Sequence, residues 1–135
     1  MNILDEQVLE SQRQLLRSWR IPIRKIGHDL GRKGLKDREI LPFLLQLRHP
    51  TFFTLDFDFS KREFCHRNYA LVCMEVKKHE AATFVRQLLR HPEFNTVAKR
   101  MGKVICLSHT GIAVWFLHAE QKRHVDWSDN LRRLK

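Results

Sequence analysis

Asp5 and Glu6 follow an apolar run, Ile3-Leu4, close to the start of the chain. Asp56 and Asp58 follow another, in the segment Thr54-Leu55-Asp56-Phe57-Asp58-Phe59. Each segment reads as a strand running into acids, and two parallel strands ending side by side would bring those acids together. Carboxylates gathered in this way repel: at about 5 Å and an effective dielectric of about 20, each charged pair costs roughly 3 kcal/mol. A divalent cation reverses the sign of that term. Hard cations such as Mg2+ and Mn2+ take oxygen ligands, commonly one or two protein carboxylates together with substrate phosphate. Either cluster alone reads as a helix cap or a solvated turn, places where Asp is at home. The two together point to metal-dependent phosphate chemistry.

The bases favour the same partner. The chain has 25 Lys and Arg against 15 Asp and Glu, a formal charge of +10. Such an excess favours a polyanion, because counterion release and long-range attraction drive binding to phosphate backbones. The acids gather at Asp5, Glu6, Asp37, Glu39, Asp56 and Asp58, while bases fill residues 13–36, 61–67, 99–103 and 132–135. An acidic spot within a basic surface is what a metal-dependent nuclease needs: bases hold the backbone while acids act on one phosphate. Lys61, Arg62 and Arg67, just after the second acid cluster, are the candidate RNA contacts, with a solvated surface loop as the alternative.

A length of 135 residues and a hydrophobic content of 43% predict one domain, residues 1–135, with a real core. Cys65, Cys73 and Cys106 form no C-x-x-C pair and read as reduced thiols, the last two inside apolar runs. Neither a signal segment nor a membrane-length apolar window is evident, which predicts a soluble, cytoplasmic protein.

The elements that must position the acids alternate in type. A first strand at residues 2–4 leads to a helix carrying Val8, Leu9, Leu15, Leu16 and Trp19 on one stripe. Residues 20–26 read as an edge strand begun by Pro22, with Ile21, Ile23 and Ile26 inward, followed by a basic loop punctuated by Gly27, Gly31 and Gly34. Pro42 is costly deep in a helix, so the helix of residues 40–47 is expected to start near Glu39 or later, with Asp37 at its entrance. Strands are expected at 51–55, 71–76 and 104–107, helices at 80–89 and 96–101, and a terminal hairpin from 112–117 and 124–127. Residues 128–135 read as a basic tail or a terminal helical turn. The alternation implies an α/β domain with a mainly parallel sheet and right-handed connections, whose ligand crevice lies beyond the carboxyl ends of the strands.

The apolar strand before Asp5-Glu6, the loop Gly34-Leu35-Lys36-Asp37-Arg38-Glu39-Ile40 and the Thr54-to-Phe59 segment together resemble the PIN-like domain family. These are relatives of the VapC-type toxin nucleases, and the likeness is strongest to the short bacterial branch. It covers residues 1 to about 76 well and the remaining 77–135 only in the order of elements. Gln7 stands where the family often has Asn, and Leu55 where a basic residue is common. The resemblance implies a Rossmann-like parallel sheet flanked by helices and an acidic centre that cleaves RNA with Mg2+ or Mn2+. Carried over by position, Asp5 is the first metal ligand with Glu6 beside it, Asp37 is the acid at the entrance to the second helix, and Asp56 and Asp58 are the paired acids at the strand end.

On this reading Asp5 and Asp56 hold a metal directly, while Asp37 and Asp58 hold a second metal or orient water; Glu6 could instead cap the first helix or pair with a base. The expected function is a metal-dependent ribonuclease, conceivably the toxin of a toxin–antitoxin pair. Its rivals are an inactive PIN-like module that binds RNA or a protein partner, a toxin component whose main interface is an antitoxin peptide, and a response-regulator-like acidic pocket, disfavoured for want of a lysine near a late strand. A homodimer through the terminal hairpin is a further expectation. No membrane partner is expected.

Overall fold

The computed structural model describes residues 1–127 and is an α/β domain built on one seven-stranded sheet. Strands β1 (Asn2–Leu4), β2 (Arg24–Lys25), β3 (Thr51–Thr54), β4 (Ala70–Met74), β5 (Lys103–Ser108), β6 (Gly111–Phe116) and β7 (Arg123–Val125) lie in the order β2-β1-β3-β4-β5-β6-β7. The first five in that order are parallel, while β6 and β7 each run antiparallel to their predecessor. Helices α1 (Glu10–Ser18), α2 (Asp37–Leu44), α3 (Ala81–Arg90) and α4 (Val97–Arg100) fill the connections. The expected tail at residues 128–135 lies outside the described residues. Among the described residues no helix is long and apolar enough to cross a membrane.

Parallel strands covered on both faces need apolar side chains at consecutive positions, because neighbours point to opposite sides. Phe52 and Phe53 show this directly. Phe53 packs with Leu4, Val72, Met74 and Ile105 beneath α1 and α3, which contribute Leu16, Phe84, Val85 and Leu88. Phe52 packs on the other side with Ile3, Leu71, Cys73 and Val104 beneath Ile40 and Leu44 of α2. Helix α1 therefore lies on one face and α2 on the other.

Three local readings differ from expectation. The edge strand is only Arg24–Lys25, because Ile21 and Ile23 pack under α1 and α3 rather than entering the ladder. Helix α2 begins at Asp37 and carries Pro42 inside it. Its first turn is fastened independently of that proline: the Glu39 carboxylate accepts from the Lys36 N–H at 3.1 Å and is ion-paired with Arg32. The bond that Pro42 cannot make would go to the carbonyl of Arg38, which is exposed, so water can take its place. Finally, the connections do not share one hand. The β3–β4 connection packs its Phe59 and Phe64 on the α2 face, whereas the next one, stepping the same way along the sheet, places α3 on the α1 face. Packing of α3 beside α1 overrides the usual preference there.

Among the thiols, Cys73 is buried, Cys65 and Cys106 are half-buried, and all three are free. Phe52 is fully buried at the centre of the α2 side. Phe52→Ala is expected to cost about 3–5 kcal/mol, read as a lower urea midpoint with an unchanged slope.

Candidate metal centre

The strand order 2-1-3-4-5 reverses direction between β1 and β3. In open α/β sheets that switch point, beyond the carboxyl ends of the strands, opens a crevice because the connections leave to opposite faces. Asp5 is the residue after β1 and Asp56 the second after β3. They are 51 positions apart in sequence and meet because β1 and β3 pair in register, Leu4 opposite Phe53. The Asp5 N–H donates to the carbonyl of Phe53 at 2.9 Å, extending that ladder to the edge of the crevice.

Thr54, the last residue of β3, ties the two acids together. Its hydroxyl donates to Asp5 Oδ2 at 2.6 Å, and the same oxygen accepts from the Asp56 N–H at 3.0 Å. Asp56 in turn accepts from the Asp58 N–H at 2.9 Å, capping a 3-10 turn at Phe57–Phe59. The segment is therefore not extended, as alternation along a strand would have required, and the turn carries Asp58 back beside Asp56. Asp37 arrives from across the crevice in the first turn of α2, where the positive end of the helix dipole favours a carboxylate by about 0.3–1 kcal/mol. Asp37, Asp56 and Asp58 each offer an oxygen, all within 4.8 Å of one another. Asp5 is not one of this trio; it is 7% exposed and lies at the floor of the same cleft.

The electrostatics follow from this placement. Burial pushes the Asp5 carboxyl above its ordinary pKa, and the charge of Asp56 adds to the rise, while the Thr54 hydroxyl and the N–H groups of Gln7 and Glu6 oppose it. Asp37 is also raised, first by desolvation and then by the charge of Asp56 and a hydrogen bond shared with it, with Asp5 and Asp58 adding further repulsion. None of Asp5, Asp37, Asp56 and Asp58 forms an ion pair among the described residues, whereas Glu10, Asp29, Glu39, Glu80 and Glu93 all do. Repulsion of about 3 kcal/mol per charged pair at this spacing exceeds what a helix terminus returns.

The cleft holds about 260 Å³ and is lined by Asp5, Glu6, Gln7, Leu35, Asp37, Ile40, Leu55, Asp56 and Lys78. Lys78 is its one basic residue. It follows β4 in a short 3-10 turn, where no sequence pattern singled it out, and Thr54 was legible only as a strand former. Glu6 neither caps α1 nor pairs with a base. Its Oε1 accepts from the Gly34 N–H at 2.9 Å, and a Cβ at Gly27 would lie 2.5 Å from Oε2. Glu6 thus pins the 27–34 loop to the rim of the site, and Gly27, with φ of +82°, leaves room for it.

Arg62 donates to the Ala119 carbonyl at 3.0 Å, and Lys61 lies over the ring of Phe64. Arg67 precedes β4, at the amino end of the parallel strands and thus at the opposite end of the sheet from the acids. A larger cleft of about 780 Å³ also lies toward that end, lined by Arg17, Arg20 and Arg24 with Asp29 as its one acid, and Asp29 is engaged by Arg13. Chemistry and the larger of these two openings therefore fall in different places, and the acidic cleft is the one with a reactive group set.

The donors are hard oxygens and sit open to solvent, a set suited to Mg2+ or Mn2+ with room left for phosphate. A carboxyl whose pKa is raised on folding contributes stability below its unfolded pKa, and that contribution is lost as pH rises through the higher folded value. Asp37→Asn is accordingly expected to raise the Tm of the chelator-treated protein at pH 7 by a few degrees. The gain should shrink as pH falls through the raised folded value and be gone below about 4, the ordinary range of a free Asp. At Mn2+ a hundredfold above its Kd the wild type should gain about 2.7 kcal/mol, and the variant much less. Differential scanning calorimetry with and without metal checks both. The geometry stands on its own residues: no family model, no curated protein and no solved structure matches this chain.

Proposed function

We propose that the protein is a metal-dependent ribonuclease of the PIN-like type. The observation that carries this reading is that two elements far apart in sequence deliver three unpaired carboxylates within 4.8 Å at the switch point of a mainly parallel sheet. In a chain of charge +10, those acids have no basic partner among the described residues, although five other acids do. Structural acids on such a surface would be expected to take one.

Asp37 and Asp56, facing each other across the cleft, would hold the cation, with Asp58 completing the set at the mouth. A bound Mg2+ or Mn2+ would supply Lewis acidity toward a phosphoryl oxygen and a hydrolytic nucleophile at neutral pH. Asp58, exposed and fixed by the turn, accepts a proton from the attacking water at a carboxylate oxygen. Lys78 Nζ neutralises a non-bridging phosphate oxygen as charge develops there. Asp5 acts from below as a positioning residue, holding Thr54 and through it the backbone of Asp56.

The burial of Asp5 favours one second reading, a PIN-like module that binds RNA without cutting it. Bonded to Thr54 and 7% exposed, Asp5 is withdrawn from the trio, leaving three ligands where the family resemblance implies four.

The two readings part on cleavage. With Mn2+ present, the wild type should cut a labelled RNA, and Asp56→Asn or Asp37→Asn should lower the rate by about 100-fold or more, the scale of losing one electrostatic stabiliser. Their thermal transitions should remain cooperative. Undiminished RNA binding with no cleavage at any Mg2+ or Mn2+ concentration would overturn the nuclease reading in favour of the binding module.

A further inference from the structure

Helix α2 covers β1 and β3, and the turns after β3 cover β4, but among the described residues no helix lies over the same face of β6 and β7. Trp115 of β6 stands on that face, half-buried, with Lys122 Nζ 5.3 Å and the Arg62 guanidinium 5.9 Å from its ring centroid. Arg62 is held in place by the Ala119 carbonyl. Together with Ser60, Lys61 and Glu63, these residues enclose a shallow cleft of about 370 Å³. Its three cations face a single carboxylate, and none of the three is in an ion pair among the described residues.

This cleft continues toward the acids. A neighbouring one of about 590 Å³ shares Ser60 and Lys122 with it and reaches Phe57, the residue between Asp56 and Asp58. Phe57 is 38% exposed, unusual for a phenylalanine beside a charged site. Glu75, Lys122, His124 and Asp126 are among the other residues lining this second cleft. One surface therefore runs from the acid trio past an exposed ring to a second ring flanked by free cations.

We propose that this surface is a binding track for single-stranded RNA, with one base stacked on Trp115, another on Phe57, and the backbone on Lys61, Arg62 and Lys122. Aromatic faces accept any unstacked base, and cations beside them follow the backbone; duplex RNA offers neither splayed bases nor a single line of phosphates. The track deepens the ribonuclease reading and rests on it for the direction of delivery, since it ends where Asp56 begins. Its binding step needs no metal.

The test uses the full chain in chelator, with fluorescence anisotropy of a labelled 12-nucleotide single strand and of a 12-base-pair RNA duplex as probes. Trp115→Ala should weaken single-strand binding about tenfold, within the range of losing one stacked base. Trp115→Phe, which keeps a ring, should restore it to within about twofold. Lys122→Ala should weaken binding and lower the salt slope by about 0.7, one phosphate contact on a single strand. Should Trp115→Ala fail to fold, the surface variant Lys122→Ala still decides the matter. Wild-type affinity and salt slope in Lys122→Ala, or wild-type affinity in a folded Trp115→Ala, would overturn the track, as would equal affinity for the duplex. A wild type that sediments as a dimer and becomes monomeric in Trp115→Ala would assign the face to a second copy instead. The two proposals fail separately: tight single-strand binding through Trp115 without Mn2+-dependent cleavage removes the nuclease and keeps the track, and undiminished cleavage by a Trp115→Ala protein that binds normally does the reverse.

Discussion

Like charges at the end of a sheet set the terms for everything around them. Three carboxylate oxygens within 4.8 Å, above a fourth acid that is nearly buried, repel by about 3 kcal/mol per ionised pair. Set against a net stability of about 5–15 kcal/mol for an ordinary domain, that is a large local charge on the fold. Desolvation first, and the charge of the neighbouring carboxylates after it, raise the pKa of both Asp5 and Asp37. A cation would relieve the repulsion without a proton. The surroundings are built to withstand the repulsion: β3 and β4 are buried at every position, and Thr54 braces the two strand ends with one hydroxyl.

The same constraint explains why the site is made from short, stiff pieces. Asp5 follows β1 directly, Asp37 opens a helix, and Asp56 caps the turn that carries Asp58. Each carboxylate is borne on a backbone position set by a strand end, a helix start or a capped turn rather than by a long loop. Glu6 works to the same end from outside, by fastening the Gly34 backbone on the approach to α2. A glycine at position 27 is needed because any side chain there would strike that carboxylate.

How much of this was legible in the sequence depends on what kind of interaction makes each feature. The parallel strands were readable because double coverage forces consecutive apolar residues, and Phe52-Phe53 or Leu71-Val72 has no other easy use. That Asp5 and Asp56 share a cleft was readable from one rule, that acids at strand ends meet at a switch point, whereas Asp37, at a helix start, was placed with them only by the family resemblance. The start of α2 was misjudged because the proline rule is local, while the bonds of Glu39 to Lys36 and Arg32 outweigh it. The short edge strand and the hand of the β4–β5 connection depend on how helices share a face, which no local pattern records. Thr54 and Lys78 were missed for a similar reason: a hydroxyl that bridges two strands and a lysine after a third acquire meaning only when the strands are side by side.

The distribution of ion pairs bears most directly on what the acids are for. With 25 Lys and Arg available, a carboxylate on this surface finds a base easily, and Glu10, Asp29, Glu39 and Glu93 have each done so with Arg or Lys. Asp29 shows the effect plainly, its pKa driven far below the ordinary range, chiefly by its hydrogen bonds from Arg13. Among the described residues Asp5, Asp37, Asp56 and Asp58 are left without such a partner, and the lysine that lines the cleft, Lys78, makes no ion pair with them. An arginine there would offset the repulsion and, on the proposed reading, compete with a cation for the same carboxylates. That the fold instead tolerates unpaired, mutually repelling acids, amid a surface rich in bases, is best understood if the missing positive charge comes from solution and the missing negative charge from a phosphate.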